Sequence, residues 1–393
     1  MMKQPADDAA NLESDTVDET NGEAMTPEQL AENKRYNRED LTCDLIDKAI
    51  DIGFLALAAF IIARPLDQWL LDQWGLDNMW LRLAAMYLIV TLVHYVVSFP
   101  LSFYSGHRLE HKYGLSKQSL VQWLWRYLKS VSLTLVFGLV LTEGLFVVIA
   151  LTGSYWWLAA AGTFFLVSVV LGQLAPVLIL PLFYRVERFE DEVLGQRLER
   201  LAEGTGLSIE GIYRMALSEE TVKANAMLAG LGSTRRVIMG DTLLDKFTEE
   251  EIEVVFAHEV GHHVHQHIRS LLLLGALFSV CGFLTCHLCV GIWLGNFHWS
   301  SEPPVFVLPM LTFVTTLFFL LTAPLQNAVS RHFERQSDSY ALQRTGNSTA
   351  YRSAFSKLAR INKDDPEPHP LEVFWFHSHP PISERLAMAD HNG

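Results

Sequence analysis

The chain has 393 residues, 50% of them hydrophobic and only 19% charged, with a mean hydropathy of +0.19. An ordinary soluble domain carries about 25% charged residues, so a simple water-soluble globule, a disordered chain and a collagen-like chain are all excluded. Thirty Lys+Arg against 44 Asp+Glu leave a net charge of −14, which argues against a nucleic-acid partner held through its phosphates, and four cysteines are too few for a disulfide scaffold at this length.

The first 40 residues hold 11 acidic and four basic side chains, so residues 1–44 read as a solvated, disordered acidic tail. No apolar run follows a basic start, so no cleavable signal peptide is expected and the first span must direct insertion. Six apolar tracts then approach the roughly 20 helical residues needed to cross a bilayer core. They lie at about 46–65, 80–101, 131–152, 156–180, 271–295 and 304–325. The chain divides accordingly: four spans over 45–180 with a loop at 102–130, a first soluble part at 181–270, two spans over 271–325, and a second soluble part at 326–393. The connections at 67–79, 153–155 and 296–303 contain no Lys or Arg. Positive-inside logic puts those three outside and both soluble parts in the cytoplasm. This predicts a mainly α, multi-pass membrane protein, of a bacterial inner membrane rather than an endoplasmic reticulum. In the first soluble part, 212–217, 222–229 and 235–239 read as short strands, with Gly230-Leu231-Gly232-Ser233 as a hairpin turn. The cytoplasmic piece is therefore expected to be α+β.

The chemistry concentrates at His258-Glu259-Val260-Gly261-His262. On a helix, positions i and i+4 share a face, so His258 and His262 offer two imidazoles to one zinc ion, with Glu259 beside the water that zinc activates. The helix is supported locally by a capping box at Thr248 and Glu251 and by apolar residues at helical spacing. A catalytic zinc wants three protein ligands and one open position. Because 271–325 runs out and back, residues after Gln326 re-emerge at the level of His262. There Glu334 is the expected third ligand, and Asp338, one turn on, is expected to fix a ligand imidazole's tautomer. The alternative is an ordinary charged helix with Glu334 and Asp338 paired to Arg331 and Arg335. His263, His265 and His267 read as interfacial polar residues rather than a second metal site. Glu143, in mid-span, calls for a partner or a wet cavity, and His94 is the candidate partner.

Together these stretches resemble the type I CAAX prenyl proteases, integral-membrane zinc metalloendopeptidases. The loop Glu110-His111-Lys112-Tyr113-Gly114-Leu115-Ser116-Lys117-Gln118 is similar to the family's E-E-K-x-G-F-x-K-Q, and Pro181-Leu182-Phe183 to its P-L-F. Asn225-Ala226 with Asp241-Thr242-Leu243-Leu244, the two metal motifs including His267, and His379-Pro380 with Arg385-Leu386 extend the match over about 45–390. The resemblance implies a helical barrel of spans around a chamber, closed by a cytoplasmic zinc metalloprotease domain. It also implies substrate laid as a strand along Asn225-Ala226, with His379 near the scissile carbonyl. Two departures bear on substrate choice: the acidic tail stands where eukaryotic members have a further span, and Lys223-Ala224 replaces a histidine-serine pair.

The expected function is peptide-bond hydrolysis near the C-terminus of prenylated or membrane-associated proteins, with one zinc ion and the lipid bilayer as partners. Three other readings accommodate the same motifs: a membrane quality-control protease of the HtpX type, a multi-span metal transporter or sensor, and a non-catalytic scaffold. The transporter predicts a dispensable Glu259, and the scaffold predicts no metal.

Overall fold

The computed structural model describes residues 25–207, 209–230, 235–295 and 302–391. Residues 1–24 of the expected acidic tail lie outside that set, as do Leu231 to Ser233 of the expected hairpin turn and most of the 296–303 connection.

The first difference from expectation is at residues 27–44, which are helix rather than tail. Helix α1 (Pro27–Leu57) starts on a capping box, with Thr26 and Gln29 bonded reciprocally and Pro27 in the first turn. It is held by packing that composition does not display. Asn33 is 3% exposed and donates to the Asp364 carbonyl (3.0 Å), and Asn37 donates to the Lys363 carbonyl (2.7 Å). Tyr36 lies edge-on to Tyr113 and donates to Glu110 (2.7 Å). Glu32 and Glu39 of this stretch are spent on docking, paired with Lys363 and Lys112, while Glu28 and Asp44 face solvent.

A π-helical turn (Ala58–Ile62) carries α1 into α2 (Ala63–Trp74), which stops at Gly75 in the left-handed region, φ +61°. Helix α3 (Met79–Phe103) passes through a second π-turn (Tyr104–Leu109) into a short α4 (Glu110–Lys112). Helices α5 (Leu120–Thr152) and α6 (Trp156–Leu174) are joined by a tight turn at Gly153–Tyr155, and a third π-turn (Ala175–Ile179) leads into α7 (Leu180–Phe183). Among the described residues, four helical runs are long and apolar enough to cross a membrane: Met79–Lys112, Leu120–Phe183, His267–Trp293 and Val305–Thr345. The second contains two of the expected tracts, so these runs account for five. The sixth, 46–65, is helical but is not among these runs. Asp51 also takes the His94 imidazole at 2.8 Å, so His94 is not the partner of Glu143.

The soluble parts interleave. Strand β1 (Val186–Arg188), helix α8 (Glu192–Ala202), β2 (Ile209–Met215), β3 (Ala226–Ala229) and β4 (Arg235–Gly240) form a sheet of order β1-β2-β4-β3, in which only β2 and β4 are parallel. The expected 222–229 strand is shortened to four residues because its first half is engaged elsewhere. Thr221 and Val222 bond to the Leu115 carbonyl of the loop after α4, and Asn362 clasps the backbone of Ala224 on both sides. What remains, β3, is a sheet edge.

After a short α9 (Asp241–Leu244), α10 (Glu249–Val264) begins on the expected Thr248–Glu251 capping box and packs Ile252, Val255 and Phe256 under the sheet. Helix α11 (His267–Trp293) runs out, and the single 38-residue α12 (Leu308–Thr345) brings the chain back, followed by α13 (Ser348–Asn362), α14 (Pro370–Phe376) and α15 (Ile382–His391). Glu334 therefore rides on the helix that contains the 304–325 tract, with no joint between them.

Helices α10 and α12 touch at Gly261. A Cβ added there would meet the Ser337 Cα at 2.9 Å, so only glycine permits this crossing. Gly261→Ala is expected to cost about 1–3 kcal/mol through overpacking and to move Glu334 away from the histidines. Chelator-competition titration of the purified variant should show weakened metal binding, whereas wild-type affinity would refute the tight-crossing argument.

Candidate metal centre

Helix α10 presents His258 and His262 on one face, and α12 presents Glu334 against them. One ligand atom from each of the three lies within 4.8 Å of the others. His258 Nε2 is 3.2 Å from His262 Nε2 and 3.1 Å from Glu334 Oε2, and His262 Nε2 is 3.4 Å from Glu334 Oε1. Glu334 is 5% exposed, and its Oε2 is buried without a hydrogen bond to satisfy it.

The surroundings turn these atoms inward. The His258 Nδ1 is 2.9 Å from Asp338, which is fully buried and gripped by Arg385 through two bonds of 2.9 and 2.6 Å. The His262 Nδ1 is 3.0 Å from His267 Nδ1, and His267 Nε2 is 2.9 Å from the Gln336 side-chain oxygen. With each outer nitrogen occupied by an outer partner, both Nε2 atoms are left to face Glu334. Burial pulls the His258 imidazole down, but the nearby Asp338 and Glu334 carboxylates outweigh it and hold the ring at about 9. Burial and the neighbouring His258 push the His262 imidazole down to about 4, so that ring favours the neutral form a metal ligand needs. Two imidazole nitrogens and a carboxylate, with an orphaned buried oxygen among them, fit a zinc ion with one position left open.

Glu259 sits beside this group. Burial pushes its carboxyl above the usual carboxylate range, with His258 opposing and Glu334 adding to the effect, and the Leu228 backbone bonds to it. His379, at the rim, has its Nε2 3.5 Å from Glu334 Oε2. Its loop is anchored from α12: Asn327 donates to the Trp375 carbonyl, and Arg331 to those of Val373 and His377. Asn225 and Ala226 enter the same cavity, of about 440 Å³, with Asn37 and Asp364 on its wall. Six of the eight expected site residues, Asn225, Ala226, His258, Glu259, Glu334 and His379, line this one cavity, and His262 and Asp338 each contact His258 from outside its lining.

Two readings need correction. The charged-helix alternative fails, because Arg331 caps carbonyls and Arg335 pairs with Glu384. His267 is not interfacial: it is 2% exposed, stacked on Phe333 with ring centroids 4.3 Å apart, and it backs His262. Sequence reasoning also missed Arg385 as the counter-charge of Asp338. Its place in a matched motif was the available signal.

Residues 189–392 match the model of Peptidase family M48, and residues 9–185 match that of the CAAX prenyl protease N-terminal, five membrane helices. The chain belongs to peptidase family M48. This M48 protein is an integral-membrane metalloprotease, which sets aside the transporter, sensor and scaffold readings. Its relatives include an uncharacterized metalloprotease YhfN of Bacillus subtilis, 25% identical over 93% of this chain and 86% of that one. CAAX prenyl protease 1 of Saccharomyces cerevisiae is 29% identical over 75% of this chain and 69% of its own. The crystal structure of S. mikatae Ste24p shares the fold, with a TM-score of 0.75 at 22% identity, covering 93% of this chain and 89% of that one.

Two predictions follow from the contacts behind the cluster. His267→Ala should weaken metal binding about 10- to 100-fold, read by chelator competition, whereas an unchanged affinity would make the contact mere packing. The second concerns Asp364, whose carboxyl burial raises from 3.8 to about 6. Its neutral form is the one the folded state favours, so wild type loses stability as pH rises from 3.8 through 6, while Asp364→Asn does not. Thermal unfolding should find the variant more stable at pH 7.5, by on the order of 2 kcal/mol, and equal to wild type near pH 3.5. A gap that did not depend on pH would refute this.

Proposed function

We propose that His258, His262 and Glu334 hold one zinc ion, and that this M48 protease hydrolyses a peptide bond near the C-terminus of a protein held at the cytoplasmic membrane surface. The observation that carries the reading is the convergence of three ligand atoms within 4.8 Å, with the buried Glu259 carboxyl alongside. A zinc ion at this site supplies Lewis acidity, which acidifies water and polarises a carbonyl. Glu259 accepts the proton of the attacking water on its carboxylate and passes it to the leaving amine nitrogen. His379 Nε2 hydrogen-bonds to the carbonyl oxygen as charge gathers on it. Asp338 keeps His258 in register, and Arg385 keeps Asp338 ionised.

The substrate backbone pairs with β3. Asn225 O accepts from Gly240 N of β4, so by alternation Ala226 and Leu228 turn their backbone groups away from β4 and toward the cavity. Leu228 N–H already serves Glu259, which leaves Ala226 and the Leu228 carbonyl for substrate. Such pairing reads backbone and tolerates many side chains. The likeness to CAAX prenyl protease 1 of Saccharomyces cerevisiae supports a prenylated substrate for this chain. The absence of Lys and Arg from the loops at 67–79 and 153–155 supports a cytoplasmic site.

Glu259→Gln should keep one equivalent of metal yet lose roughly 10²- to 10⁴-fold in peptide cleavage, followed by mass mapping of products with and without chelator. Cleavage that survives the substitution would overturn the mechanism.

A further inference from the structure

The sheet has a second face, and it leads away from the metal. Ala226 and Leu228 pack toward α10, whereas Met227 and Ala229 pack on the other side with Met215, Leu217 and Ile238. On that side lies a separate cavity of about 290 Å³. Its walls are Pro176 and Val177 of the π-turn that ends α6, together with Tyr213, Ile238 and Ala229 of the sheet. Arg236, the one cation among its described lining residues, is engaged by Glu210 at 2.9 Å and lies over the Tyr213 ring at 4.9 Å. The cavity therefore offers apolar walls and no unpaired charge. The π-turn is itself at the apolar surface of the molecule, with Val177 50% and Leu178 58% exposed.

Two features select an occupant. The cavity shares Ala229 with the edge strand, so it is continuous with the substrate track. It also sits at the end of an apolar helical run long enough to cross a membrane, where a chain leaving the bilayer arrives without crossing a polar surface. Side chains of a strand added to β3 alternate between the two faces. Residues in register with Ala226 and Leu228 face α10, and those in register with Met227 and Ala229 face this cavity. In an antiparallel strand, the residue opposite Ala229 is N-terminal to the one opposite Ala226.

Resting on the function proposed above, we infer that this cavity receives the lipid chain of the substrate. The chain is borne by a residue on the N-terminal side of the scissile bond, and the peptide leaving group stays on the metal side of the sheet. Selectivity for the lipid is thus exercised on one face of the sheet, while hydrolysis occurs on the other.

The test uses the full-length protein in lipid nanodiscs. In the Glu259→Gln background, a peptide whose cysteine carries a diazirine-bearing isoprenoid is photolysed and the adducts are mapped by mass spectrometry. Adducts within 173–186 or 213–238 are expected, and adducts confined to α3, α5 or α11 would overturn the assignment. In the metal-loaded native background, Val177→Trp fills the cavity. It should lower kcat/KM at least tenfold for a farnesylated peptide and less than twofold for the same peptide unlipidated. Equal losses on both peptides, or no loss on either, would overturn it too. Wild-type protein that cleaves neither peptide would count against the hydrolytic reading, and the adduct map would still decide where the lipid sits.

Discussion

The structure depends on one unfavourable approach: two imidazole nitrogens and a carboxylate are aimed at the same small volume and denied other partners. Left alone, such a cluster would relax, because its lone pairs repel and burial penalises unpaired charge. It is held from behind. Asp338 and Arg385 fix His258, His267 and Gln336 fix His262, and the glycine-permitted contact at Gly261 and Ser337 sets the distance between α10 and α12. These supports are stiff because they are buried and each hydrogen-bonds the next.

The third member of the cluster, Glu334, lies on a helix whose first part is apolar enough to cross a membrane. A soluble protein can bring a distant carboxylate to a His pair through a loop. Here α11 runs out, α12 returns, and Glu334 sits beyond the apolar part of that same helix. Positioning is transmitted along this one helix, in which Pro324 removes one backbone hydrogen bond ahead of Glu334.

The sequence made the site legible because it consists of short-range spacings on helices. His258 and His262 are one turn apart, Glu334 and Asp338 are one turn apart, and the Thr248 and Glu251 box marks where the first helix begins. What stayed hidden depended on long-range partners. The helix at 27–44 looks like a tail because composition registers its acidic outer face and not Asn33 and Tyr36, whose partners are 331 and 74 residues away. His267 looks interfacial because only the fold reveals that Phe333 and Gln336 enclose it. His94 was matched with the wrong carboxylate for a related reason: which span faces which is fixed by packing, and periodicity does not encode it.

The docked N-terminal helix has a structural consequence beyond its own stability. Through Asn33, Asn37 and the ion pair of Glu32 with Lys363, it pins the turn after α13. Through Tyr36 it meets Glu110 and Lys223, and so the backbone leading into the edge strand. The same helix continues toward the bilayer as α1 and α2. One element thereby ties the membrane part to both walls of the catalytic cavity, the strand on one side and the Asp364 turn on the other. Lys223, which stands where the family has a histidine, is at the centre of this clasp. Its charge is balanced by Glu110 at 3.1 Å rather than offered to the cavity. The departure from the family pattern at this position is thus compensated within the clasp, and the substrate track it borders is left to backbone pairing and to the two faces of the sheet.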